Sequence, residues 1–151
     1  MNELLIVHYF GKERLDDLMK SAGWNERQIE GQLSAIHRLA KEEDGEVLVA
    51  KAGNELFGYI LVEFHKWNRL GQIQGLIVHP GQRRQGIGTQ LVNKAEDFVS
   101  NKGARGIYVD TPVDNDGGRK FYMEIGYKED CIRSEYYDTG MDAVIYLKMF
   151  K

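Results

Sequence analysis

The chain has a single cysteine, Cys131, so no internal disulfide can form, and a reducing compartment such as the cytoplasm is the expected location. It has two prolines and no linker-like, repetitive or low-complexity tract. Its 151 residues suit one domain, 1–151, with one core. No apolar run approaches the ~18 residues of a membrane span. Met1-Asn2-Glu3-Leu4-Leu5 lacks the basic start and cleavage site of a signal peptide, so neither a membrane nor an exported location is expected. The net charge of −3 gives no reason to expect a nucleic-acid partner.

What is present alternates. Leu4–Phe10 reads as a strand, and Lys12–Ala22 carries Leu15, Leu18, Met19 and Ala22 at helical spacing. A second helix is predicted over Glu26–Ala40. Asn25 can cap it, Gln28 stands three residues on, Trp24 can staple onto Ile29, and Ile29, Leu33, Ile36 and Leu39 form one stripe. Glu46–Lys51 and Leu56–Phe64 flank Gly53-Asn54, a hairpin signal. Gln72–Val78 is a strand containing Gly75, where a bulge or a close approach is expected. A helix follows over Gln85–Asn101, then a strand at Gly106–Asp110, a short helix at Asn115–Ile125 closed by Gly126, and strands at Tyr127–Cys131 and Asp142–Met149. The order β-α-α-β-β-β-α-β-α-β-β predicts an α+β fold. Its mixed sheet has about seven strands, flanked by about four helices, with parallel pairing in the second half.

Gly81-Gln82-Arg83-Arg84-Gln85-Gly86-Ile87-Gly88 lies between a strand and a helix. A helix N-terminus presents unpaired N–H groups and a positive dipole end, and glycines let an anion approach the backbone. Arg83 and Arg84 add charge, so a pyrophosphate fits. The dinucleotide fingerprint fails because Leu91 stands where a third glycine is needed, and the P-loop fails because no lysine precedes Thr89. The plainer reading is that the two glycines only permit tight packing.

Val78-His79-Pro80 followed by Arg83-Arg84-Gln85-Gly86-Ile87-Gly88 resembles the Q/R-x-x-G-x-G/A acetyl-CoA signature of the GNAT N-acetyltransferases. Leu91, Asn115 and the run Phe121-Tyr122-Met123-Glu124-Ile125-Gly126-Tyr127 follow in the order found there. The resemblance implies a splayed sheet and acetyl-CoA as cosubstrate, with no metal. The pyrophosphate would lie on the backbone N–H groups from Arg84 through Gln85, Gly86 and Ile87 to Gly88, beside Arg83 and Thr89. The pantetheine arm would lie along Leu76, Ile77 and Val78 and touch Asn115. Tyr122 matches the tyrosine that protonates the leaving thiolate; a core tyrosine beside Phe121 is the alternative.

Many relatives carry a glutamate in the strand before the signature, where this chain has Gln72 and Gln74. Glutamine accepts no proton. Asp110, at the end of its strand, is the first substitute as general base, and a carboxylate bonded to the following turn is the alternative. Glu63 and His65 are second. Cys131 is expected as buried packing.

Arg133-Ser134-Glu135-Tyr136-Tyr137-Asp138-Thr139-Gly140-Met141-Asp142-Ala143 resembles, more weakly, a segment of the N-terminal alanine acetyltransferases of ribosomal proteins. The resemblance implies a peptide N-terminus or a small amine as substrate. Glu135, Asp138, Asp142, Glu63 and Asp110 would favour a cationic acceptor. Arg27, His37 and Arg38 would either select it or form a solvated face. A homodimer is an expectation of the resemblance alone. A catalytically silent acetyl-CoA-binding module is the alternative to an enzyme.

Overall fold

In the computed structural model, which describes residues 2–151, the order is β1 Leu4–His8, α1 Leu15–Ser21, α2 Glu26–Leu39, β2 Gly45–Ala52, β3 Glu55–His65 and β4 Leu70–Val78. It continues with α3 Ile87–Asn101, β5 Gly106–Pro112, α4 Asp116–Glu124, β6 Lys128–Arg133 and β7 Ala143–Met149, and a 3₁₀ turn at Pro80–Gln82 follows β4. The predicted element order holds. α1 begins at Leu15 rather than Lys12, since Arg14 offers no side-chain cap, and α3 begins at Ile87 rather than Gln85 because Gly86 takes a left-handed conformation. α2 starts as predicted, with Asn25 and Gln28 closing a reciprocal capping box, the kind of cap that contributes about 1 kcal/mol.

The seven strands form one sheet in the order β1-β2-β3-β4-β5-β7-β6. Parallel pairing is narrower than expected: it is confined to β4 and β5, because β7 inserts between β5 and β6 and pairs antiparallel with both. Strand alternation sends side chains to two faces. One face packs α3 through Ile87, Leu91, Val92, Ala95 and Val99 against Ile60, Val62, Ile73, Ile107 and Val109. The other packs α1 and α2, through Leu15, Met19, Ile29, Ile36 and Leu39, against Val47, Val49, Tyr59, Leu61 and Ile77. β3 lies between, and Gly58–Val62 is buried throughout, as its nearly continuous apolar run predicts.

Cys131 differs from expectation. It is exposed, because β6 is an edge strand with every residue exposed. Lys128, Glu129 and Asp130 beside it give that edge the charges that discourage further strand pairing.

Candidate active site

β4 and β5 pair only from Leu70–Gly106 to Ile73–Val109; beyond that they part. At the same level β4 carries a bulge against β3. Leu61 pairs with Gly75 and Val62 with Ile73, so Gln74 is the extra residue. The sequence signal pointed to Gly75, one residue further on. A bulge bends its strand and raises the local twist, and so turns the end of β4 away from β5.

The end of β4 therefore has one free edge. His79 N–H donates to the Phe57 carbonyl. By the alternation of an antiparallel ladder, Ile77 also turns its backbone toward β3, while Leu76 and Val78 turn theirs to the gap. Of the three residues the resemblance assigns to a ligand edge, Ile77 thus faces the wrong way.

At the mouth of the gap stands the start of α3. Gln90 N–H is bonded to the Gly86 carbonyl, and among the described residues no side chain caps the helix, so the N–H groups of Ile87, Gly88 and Thr89 have no partner within it. Arg84 and Gly86 both have positive φ, 66° and 79°, the local geometry of anion-binding backbone concavities. The two glycines do different work. A β-carbon on Gly88 would stand 3.3 Å from the Phe121 ring, so Gly88 serves packing. Nothing lies within 4 Å of one on Gly86, so the space there is open. The residues present fit a diphosphate at this point. Arg83 lies back along the strand, its Nε donating to the Val78 carbonyl at 3.2 Å, so the free edge consists of the Leu76 backbone and the Val78 N–H. His79 is a turn cap, its Nδ1 accepting from Gly81 N–H at 3.0 Å.

Asn115 caps α4 by accepting from Gly118 N–H at 3.0 Å, and among the described residues its amide donor makes no hydrogen bond. α4 carries Tyr122, buried and ringed by Phe121, Tyr127 and Tyr146 with centroids 5.0, 5.5 and 6.1 Å away. Among the described residues its hydroxyl has no hydrogen-bond partner. Burial first, and the Asp110 charge second, push its pKa well above the ordinary phenol range. It stays protonated at any working pH, a proton donor and not a base.

Asp110 stands just past the last β4–β5 pair. Tyr137 donates to its Oδ1 at 2.7 Å, from the loop between β6 and β7 rather than from the turn after β5. Burial raises the Asp110 carboxyl above the ordinary carboxylate range, and the tyrosine hydrogen bonds work against the rise.

Of the remaining acids, Glu63, Asp138 and Asp142 are engaged and Glu135 is exposed. Glu63 receives two bonds from Arg38, at 3.1 and 3.2 Å, and one from Gln74 at 2.5 Å. Burial pushes the Glu63 carboxyl up, but Arg38 overcomes this and holds it below its usual value, which makes it a poor proton acceptor. His65 is engaged by Gln72 at 2.8 Å. Asp138 pairs with Arg27 at 3.4 Å, and Asp142 accepts from Glu135 N–H at 2.9 Å. Among the described residues, no ion pair involves Asp110. Arg38 thus ties α2 to β3, whereas Arg27 and His37 lie on the solvated face. Tyr108, whose hydroxyl feels the charges of Asp110 and Glu63, lines the same face and had no signal in the sequence.

The acetyltransferase (GNAT) family profile matches residues 12–127. The chain belongs to this family. Among similar sequences, an uncharacterized N-acetyltransferase of Methanocaldococcus jannaschii is 33% identical over 101 residues, 66% of this chain and 64% of that protein. N-alpha-acetyltransferase 30 of Schizosaccharomyces pombe is 35% identical over 77 residues, 51% of each. The aligned stretch therefore spans between half and just under two thirds of these relatives. The same fold occurs in the structure of the NatC complex bound to Gag peptide and CoA, with a TM-score of 0.76, 22% identity and coverage of 99% of both chains.

Proposed function

We propose that this GNAT-family chain is an acetyl-CoA-dependent N-acetyltransferase that moves the acetyl group directly to a primary amine, with the α-amine of a peptide N-terminus as acceptor. The observation that carries this reading is the gap between β4 and β5, with an open, uncapped helix start at its mouth and Asp110 and Tyr122 beside it. Support for the acceptor class comes from the likeness to N-alpha-acetyltransferase 30 and from the Tyr136–Tyr137 loop closing on Asp110.

Acetyl-CoA supplies an acyl carbon already activated as a thioester. The chain's task is to hold it and move two protons. The N–H groups of Ile87, Gly88 and Thr89 hold the diphosphate, and the free edge at Leu76 and Val78 orients the arm. As the amine nitrogen bonds to the acyl carbon and the carbon–sulfur bond breaks, the Asp110 carboxylate takes the amine proton, directly or through water, and the Tyr122 hydroxyl gives its proton to the departing sulfur. An amine is nucleophilic enough to need no covalent intermediate.

Two measurements test the reading. Acetyl-CoA and CoA should raise the melting temperature, while ATP and NAD should not, because they lack the pantetheine arm that the strand edge would bind. Acetyl transfer to peptides with free N-termini should then exceed transfer to spermidine. Binding without turnover on any amine would identify a silent acetyl-CoA-binding module instead.

The pH profile tests Asp110 separately. Tyr137 lowers the Asp110 pKa, so Tyr137→Phe removes a restraint and lets it rise further. A base works only above its pKa, and the acid limb of kcat/KM should therefore move to higher pH in the variant. An unmoved limb removes Asp110 from the role.

A further inference from the structure

The bulge that parts β4 from β5 is gripped from α2. Gln32 Nε2 donates to the Gln74 carbonyl at 3.2 Å. The buried Tyr59 hydroxyl donates to Gln32 Oε1 at 3.1 Å and fixes the amide's orientation. The space that Gln32 occupies exists because residue 75 is glycine: a β-carbon there would collide with the Gln32 amide. The extra residue is also held by its side chain, since Gln74 donates to Glu63, which Arg38 anchors. α2 therefore holds both the backbone and the side chain of the one residue that is out of register.

We infer that Gln32 is a positioning residue for acetyl transfer: by holding the Gln74 carbonyl out of the ladder it keeps the bulge formed and the gap between β4 and β5 open at the angle the thioester needs. The inference rests on the proposed acetyltransferase function and deepens it. A peptide carbonyl with no partner in either neighbouring strand has to find one elsewhere. Without Gln32, the Gln74 peptide gains by turning back into the ladder, and the free edge at Leu76 and Val78 moves with it. The Arg83–Gly88 loop lies beyond this segment and keeps its own geometry.

The test is a cycle of Gln32→Ala, Gly75→Ala and the double variant, followed by steady-state kinetics and CoA binding. Each single change should lower kcat between about tenfold and a hundredfold, the cost of small displacements of reacting groups. The Kd for CoA should change far less. Gly75→Ala acts by expelling Gln32, so the double variant should be no slower than the slower single variant. Gln32→Glu keeps the bulk and the acceptor for Tyr59 but, when ionised, lacks the donor; it should fall with Gln32→Ala, and carries the test alone if the alanine variant does not fold.

The inference is overturned if wild type turns over and either Gln32 variant keeps kcat within about twofold, or if the two single losses multiply in the double variant. A wild-type chain that binds CoA but transfers no acetyl group overturns the proposed function, and this inference with it.

Discussion

Gly86→Asp is expected to abolish acetyl-CoA binding while leaving the protein folded, at a modest cost in stability from the left-handed backbone at that position. Position 86 has φ 79°, a region aspartate tolerates better than most residues, and nothing lies within 4 Å of a β-carbon there. The new carboxylate would stand at the N-terminus of α3, where negative charge is favourable by roughly 0.3–1 kcal/mol and the N–H groups lack a side-chain cap. It would accept the hydrogen bonds that the diphosphate needs and repel the ligand as well. Calorimetry should detect no binding at acetyl-CoA concentrations that saturate wild type, and the variant should still unfold cooperatively, with a melting temperature only modestly lowered by the strained φ. Binding that survives would show that the loop only packs.

Tyr122→Phe carries the second large effect. The side chain is buried, and its hydroxyl has no hydrogen-bond partner among the described residues, so its removal leaves nothing unsatisfied and the aromatic cluster with Phe121, Tyr127 and Tyr146 keeps its shape. Thermal stability should be unchanged or slightly raised. The kcat should fall by roughly 10²–10⁴-fold, the usual contribution of a positioned acid, with acetyl-CoA affinity nearly constant. If kcat holds, the tyrosine is a core residue and the thiolate takes its proton elsewhere.

The parts legible in the sequence are those encoded by neighbours. The capping box of α2 needs only Asn25 and Gln28, and the loop before α3 needs only its glycines and the strand and helix on either side. The exposure of Cys131 was not legible, because a cysteine and an isoleucine in a strand suggest a buried face until the strand's place at the sheet edge is known. Of the two readings of Gly75, the close approach is the one it serves, since it makes room for Gln32, while the bulge's extra position falls to Gln74 next to it. The state of Glu63 depends on Arg38, 25 residues away, and the grip of Gln32 on Gln74 spans 42. No local pattern carries either. Asp110 was read as a strand-end acid, but β5 runs on to Pro112, and its lack of an ion pair among the described residues is a property of the folded face.

Much of what the cosubstrate would meet along β4 is main chain. Leu76 and Val78 would offer backbone groups across the gap while their side chains turn to the core on the α3 side. Such a contact is blind to side-chain identity: a lineage could exchange the apolar residues there repeatedly and keep the ligand. Proline is the exception, since it would delete an N–H from the edge. Mutational scans that look for a binding site through sensitive side chains would therefore pass over this stretch unless proline were among the substitutions.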